Sequence, residues 1–216
     1  MTKIRFIGDV HGKFKGYRKR IRNVDYSVQI GDMGIGFKER RGDEIVALAN
    51  PPFDSMSKGK HWFIRGNHDN PESCRRHPFW IPDGSYIDGV FYLGGALSVD
   101  KHRRIEGLSW WADEECSITE LYALVDKYIE LRPKIVVTHD CPSSIADMIM
   151  GHDKAKQQKP SVTRYALESM FHAHQPELWV FGHWHKTLTI EEQGTTFVCL
   201  GELSYMDVII EDVHDD

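Results

Sequence analysis

The stretch VFGHWH, residues 180–185, ends an apolar run with a glycine and then presents two histidines separated by a tryptophan. If the run is a β-strand, residues two apart point to the same side of it. His183 and His185 would then face one place, while Trp184 would face away into packing. The stretch therefore indicates a site at the end of a strand.

Similar apolar runs recur along the chain, each bounded by turn residues, as expected for strands that are covered on both faces. Including the one that leads into the opening stretch, they span residues 3–9, 25–32, 60–67, 90–95, 134–140 and 178–183. Helices are predicted at residues 13–22, 43–49, 117–131 and 161–172, the third with Ser117 and Glu120 as a capping box. This alternation of strands and helices predicts an α/β fold.

The C-terminal part of the chain has a different pattern, with strand-like runs and no helix between them. Residues 187–192, 195–202 and 206–212 are such runs, and Gln193-Gly194 is a turn signal between the first two. They predict an antiparallel meander, and with it a second sheet beside the first.

Composition limits the class of protein. A chain of 216 residues predicts one domain over residues 1–216. The net charge of -5 gives no general footprint for nucleic acid, although the basic stretch Lys13 to Arg22 is either a local patch of that kind or, as we prefer, a solvated helix face. Four scattered cysteines without C-x-x-C spacing predict reduced thiols in a cytoplasmic protein. No apolar stretch approaches the roughly 20 residues of a membrane helix, so we expect no membrane partner, and the oligomeric state stays open.

Residue types that bind metals follow five of the apolar runs. They occur in GDVH (8–11), GD (31–32), GNHD (66–69), THD (138–140) and GHWH (182–185). Each one alone also fits a helix cap or an ordinary buried histidine. Because ligands of open α/β sheets bind beyond the carboxyl ends of the strands, the five ends together predict a shared metal site.

The ordered set D-x-H, G-D, G-N-H-D, H and G-H-x-H resembles the calcineurin-like metallophosphoesterase family, in its bacterial and phage form, over residues 8–185. The resemblance implies a metallo-dependent phosphatase-like fold, a four-layer sandwich of two mixed β-sheets flanked by helices. It also implies two divalent ions. One would be held by Asp9, His11 and His185 and the other by Asn67, His139 and His183, with Asp32 bridging the pair.

The chemistry of this residue set agrees with the implied activity. Imidazole, carboxylate and amide oxygen without thiolate favour Mn²⁺, with Fe, Zn²⁺ and Ni²⁺ as alternatives. Two dications, two aspartates and one bridging hydroxide leave a charge of about +1, which attracts a phosphate. Two such ions activate the bridging hydroxide that attacks phosphorus and clamp the phosphoryl oxygens. We therefore expect a phosphate-ester hydrolase.

The resemblance implies that His68 protonates or hydrogen-bonds the leaving oxygen, and Asp69 is expected to orient the site beside it. Protein phosphatases of the family carry an Asp and an Arg in the loop after the bridging aspartate, but here Met33 to Phe37 has neither. Arg65 and Arg104 are the arginines expected to bind phosphate instead. The open loop favours phosphodiesters or small phosphorylated molecules, with a phosphomonoesterase or protein phosphatase as the alternative.

Residues 98–116 contain arginines, acids and the pair Trp110-Trp111, and predict a lid or insertion near the site. Trp110 would stack on a base if the substrate is a nucleotide or nucleic acid, and otherwise both tryptophans pack the segment onto the sheet. Two other interpretations of the chain stay open. One is a catalytically silent binding scaffold on the same fold, and the other is a mononuclear zinc hydrolase acting on amides.

Overall fold

The computed structural model describes residues 1–47, 51, 60–151 and 160–210. Its strands are β1 Thr2–Ile7, β2 Tyr26–Ile30, β3 Lys38–Arg41, β4 Glu44–Ala47, β5 Lys60–Ile64, β6 Ser85–Ile87, β7 Val90–Leu93, β8 Ile135–Thr138, β9 Leu178–Phe181, β10 Leu188–Glu192, β11 Thr195–Cys199 and β12 Tyr205–Ile210. Its α-helices are α1 Phe14–Ile21, α2 Pro71–Arg75, α3 Ile118–Leu131, α4 Ser143–Met150 and α5 Val162–Ala173. Lys101–Arg103 forms a short 3₁₀ helix.

The long strands form two mixed sheets. The first has the order β12-β1-β2-β5, in which β1, β2 and β5 are parallel and β12 is antiparallel to β1. The second has the order β10-β11-β9-β8-β7-β6, parallel from β11 to β7 and antiparallel at both ends. Strands β3 and β4 form a separate hairpin.

Alternation along the strands builds the layer between the two sheets. Ile4 and Phe6 of β1 pack in one buried cluster with Val137 of β8 and Val180 of β9, which belong to the other sheet. The residues between them point outward, so each sheet also has an outer apolar face.

Helices cover both outer faces. Phe14, Tyr17 and Ile21 of α1 are buried with Phe63 of β5 on the first sheet. On the second sheet, α3, α4 and α5 pack over a cluster in which the rings of Trp179 and Phe197 are stacked with centroids 5.5 Å apart. The predicted four-layer sandwich of two mixed sheets flanked by helices is confirmed.

The capping box that starts α3 forms as its sequence indicates. The backbone N–H of Ser117 donates to Glu120 Oε2 over 2.8 Å, and the backbone N–H of Glu120 donates to Ser117 Oγ over 3.3 Å. Helix α3 packs beside α5 over the second sheet.

The predicted helix at residues 43–49 is wrong in its described part, because residues 44–47 form strand β4. Gly42, at φ 63°, provides the tight turn that folds β4 back on β3, and the β-branched Ile45 and Val46 favour the extended backbone. Residues 48 and 49 lie outside the described residues.

The predicted C-terminal meander is correct for its first hairpin only. Strands β10 and β11 pair through Gln193 and Gly194, whose φ values of 49° and 83° suit a two-residue hairpin turn. Strand β12 instead crosses to the first sheet and pairs with β1, because the other edge of β11 is already paired with β9. Residues 211 and 212 of the predicted strand lie outside the described residues.

All four cysteines are unpaired. In the described part of the chain, every helix is too short or too polar to span a lipid bilayer.

Candidate metal centre

The carboxyl ends of five strands from both sheets meet at one edge of the sandwich. Asp9, Asp32 and Asn67 follow β1, β2 and β5 of the first sheet, while His139 and His183 follow β8 and β9 of the second. These strand ends approach one another so closely that the glycines directly before Asp32 and Asn67 could not carry a side chain. A Cβ atom at Gly31 would overlap the His139 ring, and one at Gly66 would overlap the Asp32 carboxylate.

Four of the candidate ligands have left-handed backbone conformations, which are uncommon for residues other than glycine. The φ values are 47° at His11, 61° at Asp32, 66° at His183 and 50° at His185. Such conformations cost free energy and persist where the surrounding structure enforces them, typically at functional sites. In the loops that follow the strands, these backbone conformations turn the four side chains into the site, where their ring nitrogens and carboxylate oxygens come close together.

The first group of candidate ligands contains Asp9, His11, Asp32 and His185, whose ligand atoms all lie within 4.8 Å of one another. The Nε2 atoms of His11 and His185 are 3.1 Å apart. His185 Nε2 lies 3.4 Å from Asp9 Oδ2, and His11 Nε2 lies 3.7 Å from Asp32 Oδ2. Two imidazoles and two carboxylates thus surround one point.

The second group contains Asp32, His139 and His183, again with ligand atoms within 4.8 Å. Asn67 belongs to it as well, because its Oδ1 lies 3.2 Å from His139 Nε2 and 3.0 Å from His183 Nδ1. His139 Nδ1 donates to the carbonyl of Ile30 over 2.9 Å, which orients the ring so that Nε2 faces the group.

Asp32 is common to both groups, and its two oxygens face different ways. Oδ2 is the atom near His11, whereas Oδ1 lies 3.3 Å from His139 Nε2 and accepts the backbone N–H of His68 over 2.7 Å. This is the arrangement expected of a carboxylate that bridges two cations. The seven residues expected to bind metal are brought together by the fold.

The electrostatics of the cluster fit cations. Burial raises the pKa of Asp9 to about 7, and Asp9 Oδ2 has no hydrogen-bond partner among the described residues. Burial opposes ionisation of Asp32 too, but His139 and the other imidazoles around it hold its pKa well below the usual value. Burial lowers the pKa of His183 to about 4, so its imidazole is neutral and can donate a lone pair. Burial lowers the pKa of His139, but Asp32 and Asp9 outweigh this effect and raise that pKa to about 10, so a proton on this imidazole balances the carboxylates. A divalent ion would displace the proton, and the cluster would then offer the carboxylate oxygens and imidazole nitrogens that such ions need.

His68 lies beside the two groups and contacts a residue from a distant segment. Arg104 Nη2 donates to His68 Nε2 over 2.6 Å, and the same guanidinium pairs with Asp100 through Nε over 2.7 Å. The Phe37 ring stacks on His68 with centroids 5.1 Å apart and an angle of 7°. Burial lowers the pKa of His68 to about 3, and the positive charge of Arg104 contributes to this shift.

Asp69 does not face His68 and instead ties two loops together. Its carboxylate accepts the backbone N–H groups of Gly34, Ile35 and Gly66 over 2.7, 2.8 and 2.8 Å. These loops carry Asp32 and Asn67, so Asp69 sets the position of candidate ligands without contacting the substrate space.

Two residues that the sequence did not single out orient Asn67. Its side-chain N–H donates to Ser98 Oγ over 3.0 Å, which turns the amide oxygen toward His139 and His183. The backbone N–H of Ser98 in turn donates to Glu114 Oε1 over 2.8 Å. The sequence analysis predicts that residues 98–116 lie near the site, but nothing in their local pattern shows that they reach back to Asn67.

A cavity of about 470 Å³ opens over the cluster. Its walls include Asp32, Asn67, His68, His183, His185 and Trp184 on one side and Val99, Asp100 and Arg104 on the other. Segment 98–116 therefore contributes directly to the space above the candidate ligands.

The model of the calcineurin-like phosphoesterase family matches residues 2–187 of the chain. The chain belongs to this family. As a metallophosphoesterase it is an enzyme that hydrolyses phosphoric esters, and the family binds divalent metal ions. No curated protein sequence matches the chain significantly.

Two solved structures resemble the chain at low sequence identity. The anchor protein of the inner membrane complex of Plasmodium is 14% identical, with a TM-score of 0.50 over 93% of this chain and 72% of that one. The phosphopantetheinyl hydrolase of Mycobacterium tuberculosis is 14% identical, with a TM-score of 0.49 over 100% of this chain and 98% of that one.

Two residues expected at the substrate of this metallophosphoesterase have other contacts. Arg65 is buried and donates to Asp83 over 2.7 Å and to the carbonyl of Glu114 over 2.6 Å, so it fixes the end of segment 98–116. Trp110 is half-buried, with the ammonium of Lys101 5.1 Å from its ring centre, and is not among the described residues that line the cavity.

Trp184 packs as its position between two histidines predicts. Its ring contacts the cluster under α3, α4 and α5, and its Nε1–H donates to Asp140 Oδ1 over 3.1 Å, although one side of the ring also lines the cavity. Asp140 lies 3.4 Å from Arg164 Nε of α5.

Changing the shared carboxylate should affect both groups at once. We expect Asp32→Asn to lower the affinity for both ions by more than about tenfold, the minimum that loss of even an outer partner of a ligand costs. Metal content after equilibrium dialysis against Mn²⁺, measured by mass spectrometry, tests this. Asp126→Asn, an exposed change on α3, should keep the wild-type content. A variant at Asp32 that holds two ions tightly contradicts the bridging role.

Proposed function

We propose that the protein is a binuclear metal-dependent phosphoesterase that acts on phosphodiesters or small phosphorylated molecules. The observation that carries this proposal is the Asp32 carboxylate, which is shared by two groups of candidate ligands. Two divalent cations bound there would lower the pKa of a water between them and neutralise the phosphoryl oxygens. Side chains around the cavity would bind the substrate and assist the leaving oxygen.

The ligand atoms support manganese as the metal. Both groups consist of imidazole nitrogens with carboxylate and amide oxygens, and none of the four cysteines belongs to either group. Such a set suits borderline-to-hard divalent ions, with Fe, Zn²⁺ and Ni²⁺ as the alternatives to Mn²⁺.

His68 and Arg104 are proposed to act together on the substrate. Both line the cavity, and the 2.6 Å hydrogen bond between them places the guanidinium next to the imidazole that follows Asn67. Arg104 offers further N–H donors to a phosphoryl oxygen, while His68 assists the leaving oxygen by hydrogen bonding or proton donation. Asp100 holds the Arg104 side chain from the opposite direction.

The loop after Asp32 supports a substrate of lower charge than a phosphomonoester. Met33, Ile35 and Phe37 are buried and apolar, so this loop supplies no charged side chain where protein phosphatases of the family have an Asp and an Arg. Among the described residues that line the cavity, Arg104 is the one that carries a guanidinium. A diester monoanion needs fewer cationic partners than a monoester dianion.

Segment 98–116 is proposed to act as a lid on this site. Its two ends are joined by the hydrogen bond from Ser98 to Glu114, and its middle supplies Arg104 to the cavity. The proposal is supported by Arg65, which binds the carbonyl of Glu114 and so fixes one end of the segment to the strand β5 that precedes Asn67.

A panel of chromogenic substrates tests the proposed activity. With Mn²⁺ we expect hydrolysis of both p-nitrophenyl phosphate and bis(p-nitrophenyl) phosphate, with the larger kcat/KM for the diester, and loss of both activities in a chelator. His68→Ala should lower kcat by about 10²- to 10⁴-fold, the range of a well-placed acid or base.

His102→Ala is the matched control, because His102 is exposed in the same segment as Arg104. It should leave kcat within twofold of the wild-type value. Metal-loaded protein that hydrolyses neither ester would identify a silent binding scaffold, and hydrolysis that survives complete removal of metal would exclude a metal-dependent enzyme.

Arg104 is predicted to stabilise the phosphoryl group. Arg104→Ala should lower kcat/KM for the diester about 10- to 100-fold, because a hydrogen bond to a charged group contributes roughly 1.5–3 kcal/mol. Arg104→Lys keeps the charge but loses the forked donors, so its kcat/KM should lie between the values of the wild-type protein and of Arg104→Ala. Steady-state kinetics compare these variants with Arg103→Ala, an exposed neighbour. An equal loss in Arg103→Ala, or none in Arg104→Ala, contradicts this role.

A further inference from the structure

We propose that the exposed face of α1 binds the backbone of single-stranded nucleic acid and leads the strand into the metal centre. The proposal concerns a surface outside the cavity, and for its substrate it rests on the proposed phosphoester hydrolysis. Binding itself requires no turnover, so the two proposals can fail separately.

The charge of the chain is concentrated at this surface. Residues 1–22 contain eight of the 27 lysines and arginines, and their one acidic residue is the candidate ligand Asp9. The whole chain nevertheless has a net charge of -5, so the rest of it is strongly acidic. Such asymmetry is typical of proteins that bind polyanions through one region.

The cations of α1 form a stripe on the side of the helix away from the core. Lys15, Arg18 and Lys19 are exposed at positions i, i+3 and i+4, and Arg22 follows directly after the helix. Among the described residues, none of these four side chains forms an ion pair or a hydrogen bond with a carboxylate, in contrast to Lys13, which pairs with Glu202 over 2.5 Å. Four cations are therefore available to phosphates.

Along the chain, the stripe starts close to the metal centre. Helix α1 begins three residues after His11, so its N-terminal end adjoins the first group of candidate ligands. Helix α1 also packs closely on Leu203, because a Cβ at Gly16 would overlap the Leu203 side chain. Leu203 is in turn bound to the candidate ligand Asp9, since its backbone N–H donates to the Asp9 carbonyl over 2.9 Å. From Lys15 to Arg22 the chain rises about 10 Å, the length of about three nucleotides of one strand.

The composition of α1 favours a nucleic acid over an anionic membrane. A helix that lies on a membrane needs an exposed apolar face, but Phe14, Tyr17 and Ile21 of α1 are all buried against the first sheet. A phosphodiester backbone requires only accessible cations at this spacing, and its own linkages are the ester class of the adjacent site.

The size of the cavity favours a single strand. At about 470 Å³ it has the volume of a small-molecule pocket, so it can admit one nucleotide unit and not the width of a duplex. The strand would lie along α1 with one phosphodiester at the candidate ligands.

Binding of a fluorescent 20-nucleotide single-stranded DNA to the Mn²⁺-loaded protein, followed by anisotropy between 50 and 200 mM salt, tests the inference. Lys15→Glu/Lys19→Glu should weaken binding at least tenfold at 50 mM salt. It should also reduce the slope of log Kd against log salt by about 1.4, because two contacts to a single strand are lost and each contributes about 0.7. Hydrolysis of bis(p-nitrophenyl) phosphate should stay within twofold of wild type.

Lys127→Glu/Lys134→Glu is the matched control, because it makes the same change in net charge on exposed positions around α3. It should bind the strand like the wild-type protein. Equal weakening in both variants, or wild-type binding that ignores salt, overturns the proposal. Binding to phosphatidylserine vesicles without binding to the strand overturns it as well. Hydrolysis of the small diester without strand binding refutes this inference alone, whereas α1-dependent binding without hydrolysis of any ester refutes the proposed function alone.

Discussion

The structure depends on the placement of one carboxylate, Asp32, between two groups of imidazoles. Its oxygens can serve both groups only if the carboxyl ends of strands from the two sheets meet, which the buried layer between the sheets enforces. The close approach explains why a side chain at Gly31 or Gly66 would collide with the cluster. It also explains why Asp32 itself has a left-handed backbone. Packing of the sandwich thus offsets the local strain.

A second set of side chains fixes this arrangement from behind. Asp69 joins the loops of Asp32 and Asn67 through backbone N–H groups, and Ser98 with Glu114 sets the direction of the Asn67 amide. Segment 98–116 therefore has two consequences for the site. One of its ends orients a candidate ligand, and its middle brings Arg104 to His68. The segment thus contacts both the candidate ligand Asn67 and His68.

The sequence predicted the fold class and the convergence of the candidate ligands because each depends on a local pattern, an apolar run followed by a metal-binding residue, in four of the five cases directly after a glycine. Apart from the helix predicted at residues 43–49, it failed where the outcome depends on a distant partner. The pairing of Thr2 with Ile210 in β1 and β12 leaves no trace in either stretch, and the role of Arg65 is decided by Asp83 and the end of segment 98–116. The basic stretch on α1 has two interpretations, a solvated helix face and a local patch for nucleic acid, and the sequence alone does not separate them because it does not show which of the cations are paired.

The central claim is that two cations share the Asp32 carboxylate. Electron paramagnetic resonance of the Mn²⁺-loaded protein tests it most directly, because two manganese ions joined by one carboxylate are magnetically coupled. The account predicts the spectrum of a coupled pair that accounts for two ions per chain. A spectrum of isolated ions, or saturation at one ion per chain, would contradict it.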